Sequence, residues 1–273
     1  MALKGKVATA LKTDVGRVRD NNEDAVAEEP DVGLLILADG MGGYNAGEIA
    51  SHIAIATVLD VVRRAWPKLR KGQIDATTGY ALESLLLREA LETAHDTIWR
   101  AARSQPQCAG MGTTAVACLL HDDRVSIAYA GDSRLYRLRR GRLEQITRDH
   151  SLAEELVARG HYTREEAVAL VRRNIVTRAL GVEPKVEIDL IEEGLEVGDL
   201  LLLCSDGLTD MVDDEAIRLT LMQFTDNLEG AAETLVGLAN ARGGRDNISV
   251  ALARIDAPFP HKRPWWERLS EWF

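Results

Sequence analysis

Residues 34–43 read LLILADGMGG, and no other stretch constrains the chain as strongly. An apolar run from Leu34 to Ala38 halts at Asp39-Gly40. A short continuous apolar run closed by glycine reads as a strand buried on both faces. Ending it in Asp-Gly sets a carboxylate where the chain leaves the core. The glycine lets the backbone fold tightly there, so its own carbonyl can also face a ligand. The device returns at 200–207 (LLLLCSDG), more weakly at 128–132 (AYAGD), and inverted at 246–253 (DNISVALA). Four strand-edge aspartates far apart in sequence look like one site assembled by the fold.

The 273 residues, 46% hydrophobic, suffice for a large core in one or two domains. The balance of 33 basic against 43 acidic residues, a formal charge of −10, argues against nucleic acid as a partner. Phosphate chemistry on such a chain needs local cations. Cys108, Cys118 and Cys204 form no CxxC pair and are expected as buried, reduced thiols. The start does not resemble a signal peptide, and no apolar run reaches the length of a membrane span, so a cytoplasmic setting is expected.

Residues 6–12 alternate as a strand, and 13–24 are polar and turn-rich. The spacing predicts a helix over 46–65 with Ile49, Ile53, Ala56, Leu59 and Val62 inward, and a second over 80–103 with Leu85, Leu86, Ala90 and Ile98 inward. Residues 113–120, 124–130, 134–139 and 142–147, joined by tight turns, predict an antiparallel meander. Residues 151–174 are helical, charged and weakly striped, with a capping box of Thr163 and Glu166. Buried strands at 200–204 and 248–255 flank helices at 214–224 and 228–241. Aspartates spread from 24 to 246 require the chain ends to converge, which argues for one domain over 1–256.

Hard cations such as Mg²⁺ and Mn²⁺ take carboxylate, carbonyl and water oxygens. No Cys/His cluster has zinc spacing. Asp39, Asp206 and Asp246 at strand edges, with the Gly40 carbonyl, suit two such ions, whereas any one of them alone is as well explained as a turn or cap residue. The motifs Arg19-x-x-x-Glu23-Asp24, Asp39-Gly40-Met41-Gly42-Gly43, Gly112-Thr113-Thr114, Gly131-Asp132-Ser133-Arg134, Ser205-Asp206-Gly207-Leu208 and Arg245-Asp246-Asn247 occur in that order. Together, over residues 5–255, the chain resembles the bacterial branch of the metal-dependent protein serine/threonine phosphatases, the PPM or protein phosphatase 2C family.

The resemblance implies an α+β fold, two antiparallel β-sheets packed as a sandwich with helices on both outer faces. It implies hydrolysis of phosphoserine and phosphothreonine in proteins by direct attack of a metal-bridging hydroxide. The cofactors implied are two Mn²⁺ or Mg²⁺ ions, with a weaker third. Asp39 corresponds to the ligand bridging both metals, Gly40 lends its carbonyl to one, and Asp206 and Asp246 hold the other. Asp132, with Asp206, corresponds to the third site. Asp24 acts on metal-bound water, Arg19 binds the phosphate, and Asn247 buttresses the Asp246 loop. Residues 151–176 correspond to the family's flap. The implied partners are phosphoproteins, a serine/threonine kinase and that kinase's substrates, and a monomer is expected.

Many eukaryotic members carry a histidine after the Asp-Gly pair, where this chain has Met41, which donates no proton. The leaving-group acid is then a metal-bound water or a histidine such as His150 or His161. Cys118 to Arg124 fits C-x₅-R, but its loop, CLLHDDR, lacks glycines and carries two aspartates. A non-catalytic phosphoprotein-binding relative is the alternative from another class, and an intact ligand set argues against it. The tail, 257–273, holds three of the five tryptophans. It is either a docking helix for a partner or membrane surface, or it folds back on its own domain.

Overall fold

A computed structural model describes residues 3–43, 46–160, 162, 163, 166, 167, 170, 171 and 175–260. In chain order the strands are β1 Val7–Asp14, β2 Asp24–Glu29, β3 Leu34–Met41, β4 Gly112–Thr113, β5 Ala115–His121, β6 Arg124–Ala130, β7 Arg134–Arg139, β8 Arg142–Gln145, β9 Asp189–Gly194, β10 Leu200–Cys204 and β11 Ile248–Ile255. One antiparallel sheet runs β1-β11-β10-β7-β8, the other β2-β3-β5-β6-β9, and β4 pairs with β3. The helices are α1 Ala46–Ala65, α2 Leu82–Ser104, α3 Leu152–Ala158, α4 Asp206–Thr209, α5 Asp214–Gln223 and α6 Leu228–Ala241.

The apolar run at 34–38 is explained by layering. Side chains alternate across a strand. Leu34, Ile36 and Ala38 pack with α1 and α2, while Leu35 and Leu37 join Val116, Cys118, Leu201 and Leu203 between the two sheets. Strand β10 does the same on the other side, with Leu200, Leu202 and Cys204 turned to α5 and α6. Both sheets are therefore covered on both faces. This is the expected four-layer sandwich.

Several local expectations are corrected. The four strands from 115 to 145 are not one meander. β5–β6 is a hairpin in one sheet, β7–β8 a hairpin in the other, and the chain crosses between sheets at Gly131–Ser133. Helix α1 buries Gly47, Ala50, Ser51, Ala54, Ile55, Val58 and Val62; of the expected stripe only Val62 is fully buried, Ile53 and Leu59 are half-buried against the core, and Ile49 and Ala56 are exposed. Small residues on that face let α1 approach the sheet and α2 closely, and bulk alone was a poor guide to the inward side. Helix α2 buries Leu87 and Leu91 beside Leu86, Ala90 and Ile98, and leaves Leu85 half-buried.

Candidate active site

Asp39 sits at the end of β3 directly across from Asp24 on β2. Its backbone is clamped from β4. The Thr113 hydroxyl and the Thr114 N–H both donate to the Asp39 carbonyl, at 2.8 and 2.9 Å. The Asp39 N–H donates to the Thr114 hydroxyl, which also bonds the Ser133 hydroxyl at 2.7 Å. Gly40 follows in a space that admits no side chain: a Cβ there would stand 2.2 Å from the Gly47 carbonyl.

Asp246 is brought in at the start of β11, and Asn247 fixes its loop. The Asn247 amide donates to the carbonyls of Val15 and Asn21, at 3.0 and 2.9 Å, and its oxygen accepts from the Glu23 N–H at 2.8 Å. The expected buttress is therefore formed, and it ties the 15–23 loop to Asp246. Arg19 from that loop donates to Asp246 at 2.6 Å. Asp206 opens α4 after β10. The Ser205 hydroxyl donates to Asp24 Oδ2 at 2.8 Å and accepts from the Ser249 N–H at 3.0 Å.

The electrostatics show that these carboxylates share one place. Burial pushes Asp39 well above the usual carboxylate range, and Asp24, Asp206, Asp132 and Asp246 raise it further. Burial does the same to Asp206, followed by Asp132, Asp246, Asp210 and Asp24. Burial moves Asp24 up to about 6, against the hydrogen bonds from Ser249 and Ser205. Asp132 is also raised to about 6, by burial and then by Asp149. All seven expected residues, Arg19, Asp24, Asp39, Gly40, Asp132, Asp206 and Asp246, thus lie in one electrostatic neighbourhood or in the loops bonded to it.

The donor set fits hard divalent cations: carboxylate oxygens and a backbone carbonyl, with the charged forms of Asp39, Asp206 and Asp132 disfavoured by burial until a cation offsets them. Among the described residues, Asp24 Oδ1 is buried without a hydrogen-bond partner. As the side chains stand, no three of the described His, Cys, Asp and Glu groups are gathered into a closed cage. Asp246 is instead bonded to Arg19.

His150 is a support. The Gly131 N–H donates to His150 Nδ1 at 3.1 Å, so the ring proton of the neutral form lies on Nε2, which faces Asp189 Oδ2 at 3.2 Å. The ring stacks on Tyr129, and burial lowers its pKa. It holds the Gly131-Asp132 turn. Beneath that turn Arg134 makes a two-pronged ion pair with Asp149, 2.7 Å at its shortest. His161 lies outside the described residues. Met41 opens on a cleft of about 830 Å³ bounded by α2 and residues 176–188. The capping box of Thr163 and Glu166 is formed in both directions. Cys118 lies inside β5 with its thiol pushed up to about 12 by burial, which removes it as a nucleophile.

Sequence reasoning gave Ser205, Thr113 and Thr114 no role, and did not name Asp210. Ser205 and the threonines stood in the motifs and act through their hydroxyls. Asp210 lies four residues after Asp206, a spacing that puts both on one side of a helical turn.

Residues 16–239 match the family model described as Protein phosphatase 2C. The chain is 39% identical over 249 residues to a serine/threonine phosphatase stp of Listeria monocytogenes, covering 90% of this chain and 95% of that one. It is 39% identical over 246 residues to the serine/threonine protein phosphatase PstP of Mycobacterium tuberculosis, covering 90% of this chain and 44% of that longer one. The crystal structure of Mycobacterium tuberculosis PstP superposes with a TM-score of 0.81 at 36% identity, over 92% of this chain and all of that one. The PstP catalytic domain in complex with two manganese ions gives a TM-score of 0.78 at 35% identity, over 92% and 99% of the chains.

Proposed function

The chain belongs to the protein phosphatase 2C family, a family of metal-dependent serine/threonine protein phosphatases, and from that premise we propose how its own residues do the work. The observation that carries the reading is the gathering of buried carboxylates at the ends of strands from both sheets, where burial raises Asp39 and Asp206 and the charges of Asp24, Asp132 and Asp246 raise both further. Asp39 and the Gly40 carbonyl, with Asp206 and Asp246, hold two Mn²⁺ or Mg²⁺ ions. Asp132 and Asp206 hold a weaker third. When bound, such ions acidify water and offset the charge that develops at phosphorus.

Asp24 takes a proton from the attacking water at its buried Oδ1, while Ser205 holds Oδ2 in place. Arg19, half-exposed and tethered to Asp246, orients the phosphate of the substrate. Attack on phosphorus breaks the bond to the serine or threonine oxygen, with no phosphoenzyme. Met41 has no proton to give and His150 is engaged on both ring nitrogens, which leaves water or His161 to protonate the leaving oxygen. Residues 1–256 act as one phosphatase domain with 151–176 as a flap beside the cleft. The substrates are phosphoproteins, and the natural counterpart is a serine/threonine kinase. We place the chain in the cytoplasm as a monomer, a setting that suits three unpaired, buried thiols. Among the described residues no helix is long and apolar enough to cross a membrane.

The test is phosphate release from a phosphothreonine peptide with Mn²⁺ and with a chelator, beside Asp39→Asn. Metal-dependent release that the variant loses supports the assignment. No release with any metal from folded protein overturns it in favour of a phosphoprotein-binding role.

A further inference from the structure

At the far end of β5 from Thr113 and Thr114, roughly 20 Å along the strand, a second group of buried polar residues is unused by the chemistry above. Glu83 is fully buried in the first turn of α2, and His121, at the end of β5, is 7% exposed. Glu83 Oε1 accepts from the Gly72 N–H at 2.7 Å. Among the described residues, Glu83 Oε2 and His121 Nδ1 have no hydrogen-bond partner. Both residues line one cavity of about 40 Å³, walled by Leu3, Leu120, Trp66 and Phe259.

A chain of hydroxyls fixes the histidine's proton. Ser84 donates to the Glu192 carboxylate, which can only accept. The Ser84 oxygen therefore accepts from Ser126, 2.6 Å away, and the Ser126 oxygen accepts from His121 Nε2 at 2.7 Å. The proton of the neutral ring is spent on Nε2, and Nδ1 presents a bare lone pair. Facing it is the Glu83 carboxylate, with Oε1 3.9 Å from Nδ1. Two acceptors at that separation do not bond each other. They leave room for one atom donating to both at about 2.8–2.9 Å. A metal ion held by both at about 2.1 Å would need them closer together or splayed wide.

We propose that this cavity binds a primary ammonium group, whose hydrogens bridge Glu83 and His121 Nδ1 and whose first methylene lies against Trp66. An ammonium is all donor, it offsets a buried carboxylate, and an indole face attracts cations. The Trp66 ring already carries one: Lys71 Nζ sits 4.3 Å from its centroid at the cavity's rim. The volume matches a nitrogen and one or two carbons, since one water takes about 10–15 Å³ on the same measure. The amine is either a small free one or the lysine of a partner, and Lys71 competes with it.

The test titrates the full-length protein with methylammonium and with acetyl-lysine-amide, by calorimetry and in crystals grown with each. We expect saturable binding with the nitrogen between Glu83 and His121. Glu83→Gln, whose amide can itself donate to Nδ1, should weaken binding at least tenfold, and Lys71→Met should tighten it. Binding of methylammonium alone identifies a free amine, and tighter binding of the lysine amide a partner's side chain. Mn²⁺-dependent phosphate release should stay within twofold in Glu83→Gln, so this inference and the phosphatase assignment fail separately. A water in that position at every amine concentration, a metal ion in its place, or equal binding by Glu83→Gln overturns the proposal. So does loss of fold stability in Lys71→Met, which would make Lys71 the intended cation.

Discussion

Gly207 has no room for a side chain, because a Cβ would stand 1.9 Å from the Asn247 carbonyl. Gly207→Ala must push Asn247 and Asp246 away from Asp206, at a cost of about 3 kcal/mol or more. Chemical denaturation should show that loss together with loss of phosphate release. Arg19→Ala should lower kcat/KM on phosphopeptides by about 10–100-fold, the worth of a charge-assisted contact, with little change in Tm. Asp39→Asn should have opposite effects on catalysis and stability. A carboxyl raised in the folded state contributes stability that is present below its unfolded pKa and is lost as pH rises through the folded one. In chelator, the Tm advantage of Asp39→Asn over the parent should therefore grow from pH 4 to pH 8. A parent more stable than the variant at pH 8 would sink this account. At this scale Asp39, Asp132, Asp206 and Asp246 were legible because each ends or begins an apolar run, whereas Asp24 and Arg19 came only with the family resemblance. The hydroxyls of Ser205, Thr113 and Thr114 were not, since a hydroxyl's partner is set by tertiary packing and leaves no periodic trace.

At the scale of the element, α2 shows how a support far from the chemistry reaches it. His95 Nδ1 accepts from the Gly181 N–H at 3.1 Å, and neighbouring Leu180 exchanges backbone hydrogen bonds with Thr113. Burial lowers the pKa of His95. The neutral ring is favoured in the folded state, so stability is present above about pH 6.5, the ordinary value, and is lost as pH falls below it. Protonation would also set a donor against the Gly181 N–H. His95→Gln keeps an acceptor without titrating, and its Tm should fall less steeply than the parent's between pH 7 and 5. Equal slopes would remove His95 from the acid response. Leu37, wholly buried between the sheets, should cost about 2–5 kcal/mol as Leu37→Ala, read by urea unfolding. The doubly buried strands announced themselves as unbroken apolar runs. Strands β2 (DAVAEE) and β9 (DLIEEG) did not, because acidic residues at the sheet edges interrupt the pattern. The crossing at Gly131–Ser133 was hidden for a different reason: a turn within a hairpin and a turn between sheets use the same residue types.

At the scale of the molecule, the converging ends deduced from the spread of aspartates are realised by β1 lying beside β11, with Asp14 opposite Ile248. Beyond β11, Phe259 is 3% exposed and its N–H bonds Asp123. The tryptophan face of the tail lies outside the described residues. Deleting 258–273 should lower stability by about 2 kcal/mol more than deleting 261–273, the worth of one buried phenylalanine. Equal Tm values for the two truncations would show that Phe259 adds nothing. The pairing of β1 with β11 also bears on how the protein is born. During translation, at about 5–20 residues per second, the first strand must wait tens of seconds for its neighbour to leave the ribosome. Asp24 and Asp39 emerge more than 200 residues ahead of Asp246. A fragment that stops short of β11 lacks Asp246 and the partner of β1, so it should release no phosphate.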